Sequence, residues 1–260
     1  MKEWIKSVVS AMIFGSSLAL MAWSGSGLAF MYRDYGRVEK DLERIRAISE
    51  EAKMDVPEMA DPEEGGSRVC LWRLARCQKS LEANEDTAGW ISIEGTAVDY
   101  PVMRTPEAPD FYLSHGFDRQ SSAGGMIVMD AGCGLQGGKN YLLYGHHMKN
   151  GTMFGQLERY LSPQFYRGHG EILFDTPWET GSYQVFSVFC LSGLEMEEVS
   201  ECLMADTEEK FRKLIELAER KNVHASRNMP RWPERLLTLV TCEYTRENGR
   251  LFVMARRTGG

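Results

Sequence analysis

The first long apolar run of the chain occupies residues 7–32, which hold no charged side chain and follow Lys2 and Lys6. A helix needs about 20 apolar residues to cross the hydrocarbon layer of a membrane, so the run predicts one transmembrane anchor. The alternative is a signal peptide cleaved near the small residues 24–27, although the apolar cores of such peptides usually span only about 7–15 residues. Both interpretations export the rest of the chain, and the lysines favour a cytoplasmic N-terminus.

Helical spacing dominates the next segment. Apolar side chains recur every three or four residues among dense charges, at Val38, Leu42, Ile45 and Ile48. This pattern predicts an amphipathic helix, which we expect to be a solvated stalk. Residues 56–67 contain two prolines, two glycines and four acids and indicate a linker. A second helix is predicted from Val69 to about Asn84, so the expected domains are an anchor at 1–32, a stalk and linker at 33–67, and a main domain at 68–260.

From Gly89 the pattern changes to short apolar runs separated by turn residues. There are eight, and in order they are GWISI, AVDYPVM, GGMIVMD, NYLLYGH, EILFD, YQVFSVF, LLTLVTC and RLFVMARR. Such runs predict strands, and eight of them predict a closed or nearly closed barrel. One helix interrupts them at residues 206–222, where Asp206 and Glu209 fit a capping pair. The predicted fold is therefore mainly β with helices: an eight-stranded barrel, an N-terminal helix, and a helix inserted before the last two strands.

Charge and cysteine content narrow the possible functions. The formal net charge of −7 gives no basic surface for nucleic acid or an anionic membrane, so peptides or proteins are the expected partners. The six cysteines include no CxxC pair. Cys70 and Cys77 would lie about 10.5 Å apart along a helix axis, beyond the roughly 7 Å that a disulfide can span. A disulfide-rich scaffold is therefore not expected.

Two motifs fit known cofactor or metal patterns without their context. Residues 132–137 match GxGxxG, but a turn and a strand follow where a dinucleotide fingerprint needs a helix N-terminus. We interpret them as a glycine-rich loop. His146 and His147 are adjacent, and neighbours on a strand point to opposite faces and cannot share one ion. With no third ligand at a suitable spacing, neither a metal site nor a cofactor is predicted.

The stretch TLVTCEYTRENGR carries the candidate chemistry. A cysteine that closes a strand is usually an inert buried thiol, but here the NG turn would pair Cys242 with the strand that begins at Arg250. A nearby cation lowers a thiol pKa and can receive an oxyanion. His146, where NYLLYGH leaves its strand, could carry the proton. A transpeptidase, an extracellular cysteine endopeptidase and a non-enzymatic surface binding protein with an inert Cys242 all remain open on these residues.

Taken as a set, the motifs resemble those of the sortases. TLVTC is followed by an arginine that opens the next strand, and YGHHMKNGTMF lies about a hundred residues earlier. The GHH and GTMF elements, together with the helix of residues 206–222, resemble class B, and DTAGWISIEGTAVDYPVM is similar to the opening of that domain. The resemblance covers about residues 69–257.

This resemblance implies a membrane-anchored cysteine transpeptidase on the surface of a Gram-positive bacterium. Such enzymes cut a C-terminal sorting motif after Thr, form a thioacyl intermediate, and pass the acyl group to an amine of peptidoglycan or of another subunit. By position, Cys242 matches the nucleophile, His146 the general acid and base, and Arg250 the transition-state stabiliser, and no cofactor is implied.

The resemblance also implies a peptide groove. The residues at its positions are Leu113, Val240, Thr241 and Glu243. Val240 stands where some relatives place a small polar residue. The loop of residues 192–204 is expected to help select the sorting motif, and His147 receives no role.

Overall fold

The computed structural model describes residues 36–56, 65–225 and 228–259. The chain divides into two compact units, Met1–Lys40 and Asp41–Gly260, and the second contains the barrel. The predicted transmembrane run at 7–32 and most of the predicted linker lie outside the described residues. None of the helices within the described ranges is both long enough and apolar enough to span a membrane.

Eight strands close into a barrel, as the alternating pattern predicted. They are β1 (Thr87–Ser92), β2 (Asp99–Met103), β3 (Ile127–Met129), β4 (Asn140–Tyr144), β5 (Glu171–Asp175), β6 (Ser182–Leu191), β7 (Leu236–Glu243) and β8 (Gly249–Gly259). Their order around the barrel is β1-β2-β3-β4-β7-β8-β6-β5. Neighbours are antiparallel except at two seams, β2 with β3 and β4 with β7, where the strands run parallel.

Helices precede the barrel and fill its connections. The α-helices are α1 (36–55), α2 (Gly65–Ala83), α3 (Pro163–Gly168), α4 (Gly193–Val199) and α5 (Glu208–Lys221). Short 3₁₀ turns occur at Phe111–Leu113, Leu157–Leu161 and Ser200–Cys202. The segment 132–137 is a loop followed by β4, in agreement with its interpretation as a glycine-rich loop.

The amphipathic helix α1 forms where the spacing predicted it, but its apolar face is covered. Ile45 is only 1% exposed and packs in one cluster with Cys77 of α2 and Trp90 of β1. Burying an isoleucine side chain contributes about 1.5–3 kcal/mol. From Asp41 onward the helix is therefore part of the barrel unit, whereas a solvated stalk was expected. The predicted domain boundary at 67/68 falls inside α2.

Buried ion pairs fasten α2 to the barrel. Arg73 binds the carboxylate of Asp175 at the end of β5, with its Nε 2.9 Å from Oδ2. Arg76 donates to Oδ1 of Asp99 at 3.0 Å, and its guanidinium carbon lies 4.5 Å from the centre of the Trp90 ring. Both arginines and Asp175 are buried. Charges that are taken out of water need such partners, so these contacts fix how α2 sits on β1, β2 and β5.

The inserted helix α5 is shorter than predicted, and its cap differs. Thr207, in extended conformation, accepts from the backbone N–H of Lys210 at 3.3 Å. Asp206 instead lies 2.9 Å from the Lys210 ammonium. The expected pairing of Asp206 with Glu209 is therefore wrong, since a β-conformation Thr immediately before the first turn occupies the N-cap position itself.

Residues 192–204 were predicted as a loop, and most of them are helical. Ser192 and Glu195 form a reciprocal capping box at the start of α4, and the 3₁₀ turn Ser200–Cys202 follows. The S-x-x-E spacing that marks such a helix start is present in the sequence. The segment therefore forms a helix beside the barrel.

Candidate active site

The site lies where the parallel strands β4 and β7 separate. Their pairing runs from Asn140 opposite Leu236 to Tyr144 opposite Val240. One further backbone bond follows, from Gly145 N to Val240 O at 3.1 Å. Beyond it, the buried hydroxyl of Thr241 donates to Gly145 O at 2.7 Å. The two segments that continue beyond this seam carry the predicted proton carrier, His146, and the predicted nucleophile, Cys242.

Close packing requires a glycine at this point. A β-carbon on Gly145 would lie 2.6 Å from Cδ1 of Ile127 and 2.7 Å from the ring of Phe154. Carbon atoms in van der Waals contact sit about 3.5–4.0 Å apart. The chain can therefore pass close to the core at Gly145 and bring His146 to the rim of the barrel.

Arg250 lies directly opposite Cys242. The pairing of β7 with β8 places Cys242 against Arg250 and Glu243 against Gly249. The turn between the strands ends at Asn248, whose φ of 50° is in the left-handed region that Asn tolerates better than most residues. Arg250 Nη1 donates to its neighbour's carbonyl, Gly249 O, at 3.0 Å. The half-buried Cys242 and a permanently charged side chain therefore start from paired positions of β7 and β8 and line the same cavity.

A single cavity brings most of the predicted site residues together. It has a volume of about 610 Å³ and is lined by the three predicted catalytic residues and three of the predicted substrate-binding residues, namely Cys242, His146, Arg250, Leu113, Val240 and Thr241. Apolar walls with a few convergent polar groups are typical of a ligand site.

Glu243, the fourth residue predicted to bind substrate, is not among the described residues that line this cavity. Its carboxylate accepts from Thr245 N at 2.7 Å and lies 3.6 Å from Arg246. Burial opposes ionisation there, but these hydrogen bonds and the cation lower the Glu243 pKa below its usual value. Glu243 stabilises the β7–β8 turn.

His146 is oriented by a backbone carbonyl. Its Nε2 lies 2.7 Å from Leu113 O in the 3₁₀ turn Phe111–Leu113. A carbonyl oxygen only accepts, so Nε2 carries the proton and donates. Nδ1 is then the ring nitrogen left to exchange a proton inside the cavity. This hydrogen bond also explains how Leu113 reaches the site.

Of the fifteen residues that line the cavity, six were predicted as site residues and nine were not. The nine include Asp110, Asp130, Tyr144 and Met196. The Tyr144 hydroxyl lies 3.3 Å from Asp130 Oδ2, and burial together with that carboxylate raises the pKa of Tyr144, so the phenol stays a neutral donor. Asp130 directly follows β3, and Tyr144 stands two positions before His146. Their positions at the ends of predicted strands could therefore have marked them as site residues. Met196 belongs to α4, which places the segment 192–204 at the cavity as expected.

A closed mixed barrel with a thiol, an imidazole and a guanidinium at one cavity has the parts of a cysteine-dependent acyl-transfer enzyme. Comparison with known proteins gives the same class. The sortase domain family matches residues 91–258. Sortase B of Staphylococcus aureus (strain NCTC 8325 / PS 47) is 33% identical over 182 residues, which cover 68% of this chain and 73% of the relative.

Solved structures agree. Clostridium perfringens sortase B matches at 28% identity with a TM-score of 0.63, covering 70% of this chain and 99% of that one. A Staphylococcus aureus sortase B–substrate complex matches at 30% identity with a TM-score of 0.63, covering 70% of this chain and 84% of that one. The chain belongs to the sortase family, within class B, and is a cysteine transpeptidase. The predicted family and barrel are confirmed.

Proposed function

We propose that this sortase cleaves the C-terminal sorting motif of exported proteins after Thr and joins the new carboxyl end to an amine of peptidoglycan or of another protein subunit. The observation that carries the proposal is the shared cavity of Cys242, His146 and Arg250, in which strand pairing sets the cation opposite the thiol. A nucleophile, a proton carrier and an oxyanion donor are the groups that acyl transfer through a thioester needs.

The three residues take separate roles in the proposal. The Cys242 thiol gives its proton to His146, and the resulting thiolate attacks the Thr carbonyl carbon. The oxygen of the tetrahedral intermediate accepts hydrogen bonds from Arg250. His146 gives a proton to the departing nitrogen as the C–N bond breaks, which leaves a thioester on Cys242. An incoming amine then attacks the thioester carbon and loses a proton to His146, and the sulfur leaves as a thiolate. A guanidinium suits the oxyanion because its forked donors are rigid and always charged.

The same cavity is the proposed peptide site. A Staphylococcus aureus relative has been solved as a substrate complex, and the barrel of this chain is similar to it. Here Leu113 and Val240 supply apolar wall, and Met196 of α4 closes one side. Thr241 belongs to the wall, but its hydroxyl donates to Gly145 O, so we assign it the role of holding β4 and β7 together. Glu243 is left out of the groove.

We further propose that residues 7–32 anchor the enzyme in the cell membrane as a single span, with the barrel outside the cell. The uncharged run and the two lysines before it support this topology. Protease treatment of intact cells tests it: the barrel should be digested while a tag on the N-terminus survives. Protection of the barrel would contradict the topology.

The activity is tested on the full chain in detergent micelles. A library of sorting-motif peptides is incubated with excess glycine or diaminopimelate amines, and products are identified by mass spectrometry. We expect ligated product from wild type and none from Cys242→Ala, with a mass increase on Cys242 that marks the thioester. Hydrolysed peptide alone, whatever the amine concentration, would instead indicate a cysteine endopeptidase. No adduct and no product would leave only a binding role for the cavity.

A further inference from the structure

His147 lies just past the point where the β4–β7 ladder ends. In a parallel ladder, acceptors on one strand meet donors on the other at every second residue. Gly145 N donates to Val240 O, so the next rung would join the backbone N–H of His147 to Cys242 O. The His147 backbone has instead turned away into a bridge with Met153.

The side chain of His147 replaces the missing rung. Its Nδ1 lies 3.0 Å from the carbonyl oxygen of Cys242. The carbonyl can only accept, so Nδ1 donates. The last backbone group of the nucleophile is thereby tied to the strand that delivers His146, although the two main chains have already separated.

The ring itself is held from two further sides. Its Nε2 lies 3.3 Å from Oε2 of Glu158 in the 3₁₀ turn Leu157–Leu161, and the pair is ionic whenever the ring is protonated. The ring of Tyr244, from the β7–β8 turn, is 5.2 Å away. The His147 side chain is 12% exposed. A ring with so few alternative positions loses little entropy when it binds its acceptor.

We propose that His147 is a positioning residue for the nucleophile. It is not among the described residues that line the cavity, and it acts through the Cys242 carbonyl. By fixing the peptide that follows the thiol, it keeps the end of β7 from drifting away from His146. This inference rests on the proposed function, because it assigns the nucleophilic role to Cys242.

Two variants, His147→Asn and His147→Gln, test whether the hydrogen-bond donor must stand at the position of Nδ1 or whether any polar side chain is enough. The amide nitrogen of Asn can occupy the place of Nδ1, whereas that of Gln reaches the place of Nε2, next to Glu158. In the full chain, we expect His147→Ala to lower kcat about 10–100-fold, since small misplacements of a reacting group cost up to about 10²-fold. KM should change less than about 2-fold, because the peptide wall is intact.

The expected pattern is that His147→Asn restores kcat to within about 5-fold of wild type and that His147→Gln resembles His147→Ala. His224→Ala is the matched control, since His224 also bonds a backbone carbonyl, Tyr160 O at 2.6 Å, and does not line the cavity. It should keep kcat even where it lowers the melting temperature. Unchanged kcat in His147→Ala, or equal activity of the Asn and Gln variants, would overturn the proposal.

A second measurement does not use the reaction. Long-range ¹H–¹⁵N spectra of the imidazole rings should show a protonated Nδ1 on His147. An unprotonated Nδ1 refutes the assignment even in a chain that ligates peptides. A protonated Nδ1 in a wild-type chain that neither ligates nor forms a thioester refutes the proposed function and leaves the hydrogen bond in place.

Discussion

Asp175→Asn is the sharpest perturbation that the fold offers, because it removes one charge and almost no volume. The Asp175 side chain is fully buried and serves two guanidinium groups, Arg73 with Nε at 2.9 Å and Arg76 with Nη2 at 3.5 Å. It also accepts from Gly181 N at 3.1 Å. In the variant, Arg73 keeps only the neutral Gly181 carbonyl and the amide as partners.

The expected loss follows from that geometry. Removing one partner of a buried ion pair costs about 3–5 kcal/mol, because the remaining charge stays desolvated. No cavity term is added, since Asn has nearly the volume of Asp. For a unit of roughly 220 residues, each kcal/mol moves the melting temperature by about 2–4 °C. We therefore expect Asp175→Asn to melt about 6–20 °C below wild type.

Differential scanning calorimetry of the full chain measures the shift. Glu209→Gln is the control, because it breaks an exposed ion pair with Lys213 of 2.8 Å and should leave the melting temperature almost unchanged. A second substitution, Arg73→Met in the Asp175→Asn background, should recover part of the loss by removing the unpaired charge. A shift no larger than the control, or a further fall on adding Arg73→Met, would refute the ion-pair argument.

Three further predictions concern the site and the helix before it. Arg250→Lys keeps the charge but loses the forked donors, so kcat should fall about 10²-fold with little change in KM; wild-type turnover would remove Arg250 from the mechanism. Thr241→Val removes the hydroxyl from Gly145 O and should cost about 1–3 kcal/mol in chemical denaturation; an unchanged midpoint would mean that the bond does not hold the seam. Burial and, next, Asp118 raise the Asp41 pKa to about 6, so the stability from this group is present below about pH 4 and is lost as the pH rises through 6. At pH 7.5 the ionised Asp41 should cost the folded protein about 1 kcal/mol once solvent screening is allowed for. Asp41→Asn should therefore melt at the same temperature as wild type at pH 4 and about 2–4 °C higher at pH 7.5. Equal melting temperatures of the two proteins at both pH values would contradict the prediction.

Local patterns predicted those parts of the molecule that depend on neighbouring residues. The turn at Asn248 and Gly249 fixes the register of the last hairpin, and from that register Arg250 falls opposite Cys242. The eight strands were also predicted from local patterns, because alternation of apolar and polar residues depends only on neighbours in the sequence. His146 was a candidate because it follows the end of a predicted strand, but no local rule says that this strand lies beside β7.

The errors and omissions have physical causes as well. Glu243 was predicted to line the groove, whereas its carboxylate accepts from Thr245 N in the β7–β8 turn, a contact that strand alternation alone does not predict. The ion pair of Arg73 with Asp175 joins residues 102 positions apart, and each looks like an ordinary surface charge in the sequence. The helix α1 was expected to be solvated because its charges are dense, but only packing against Cys77 and Trp90 shows what covers Ile45.

The parallel seam of β4 and β7 also links chemistry to folding. The bonds that hold the site, Thr241 to Gly145 and His147 to Cys242, join residues 96 and 95 positions apart. Contacts between such distant parts of a chain form late, because the entropy of closing the loop is lost before they contribute. An unfolded or half-folded copy therefore carries an ordinary cysteine without a paired imidazole. The nucleophile, the imidazole and the guanidinium come together only when the last strands close the barrel, so the acyl-transfer site is absent from a chain that has not finished folding.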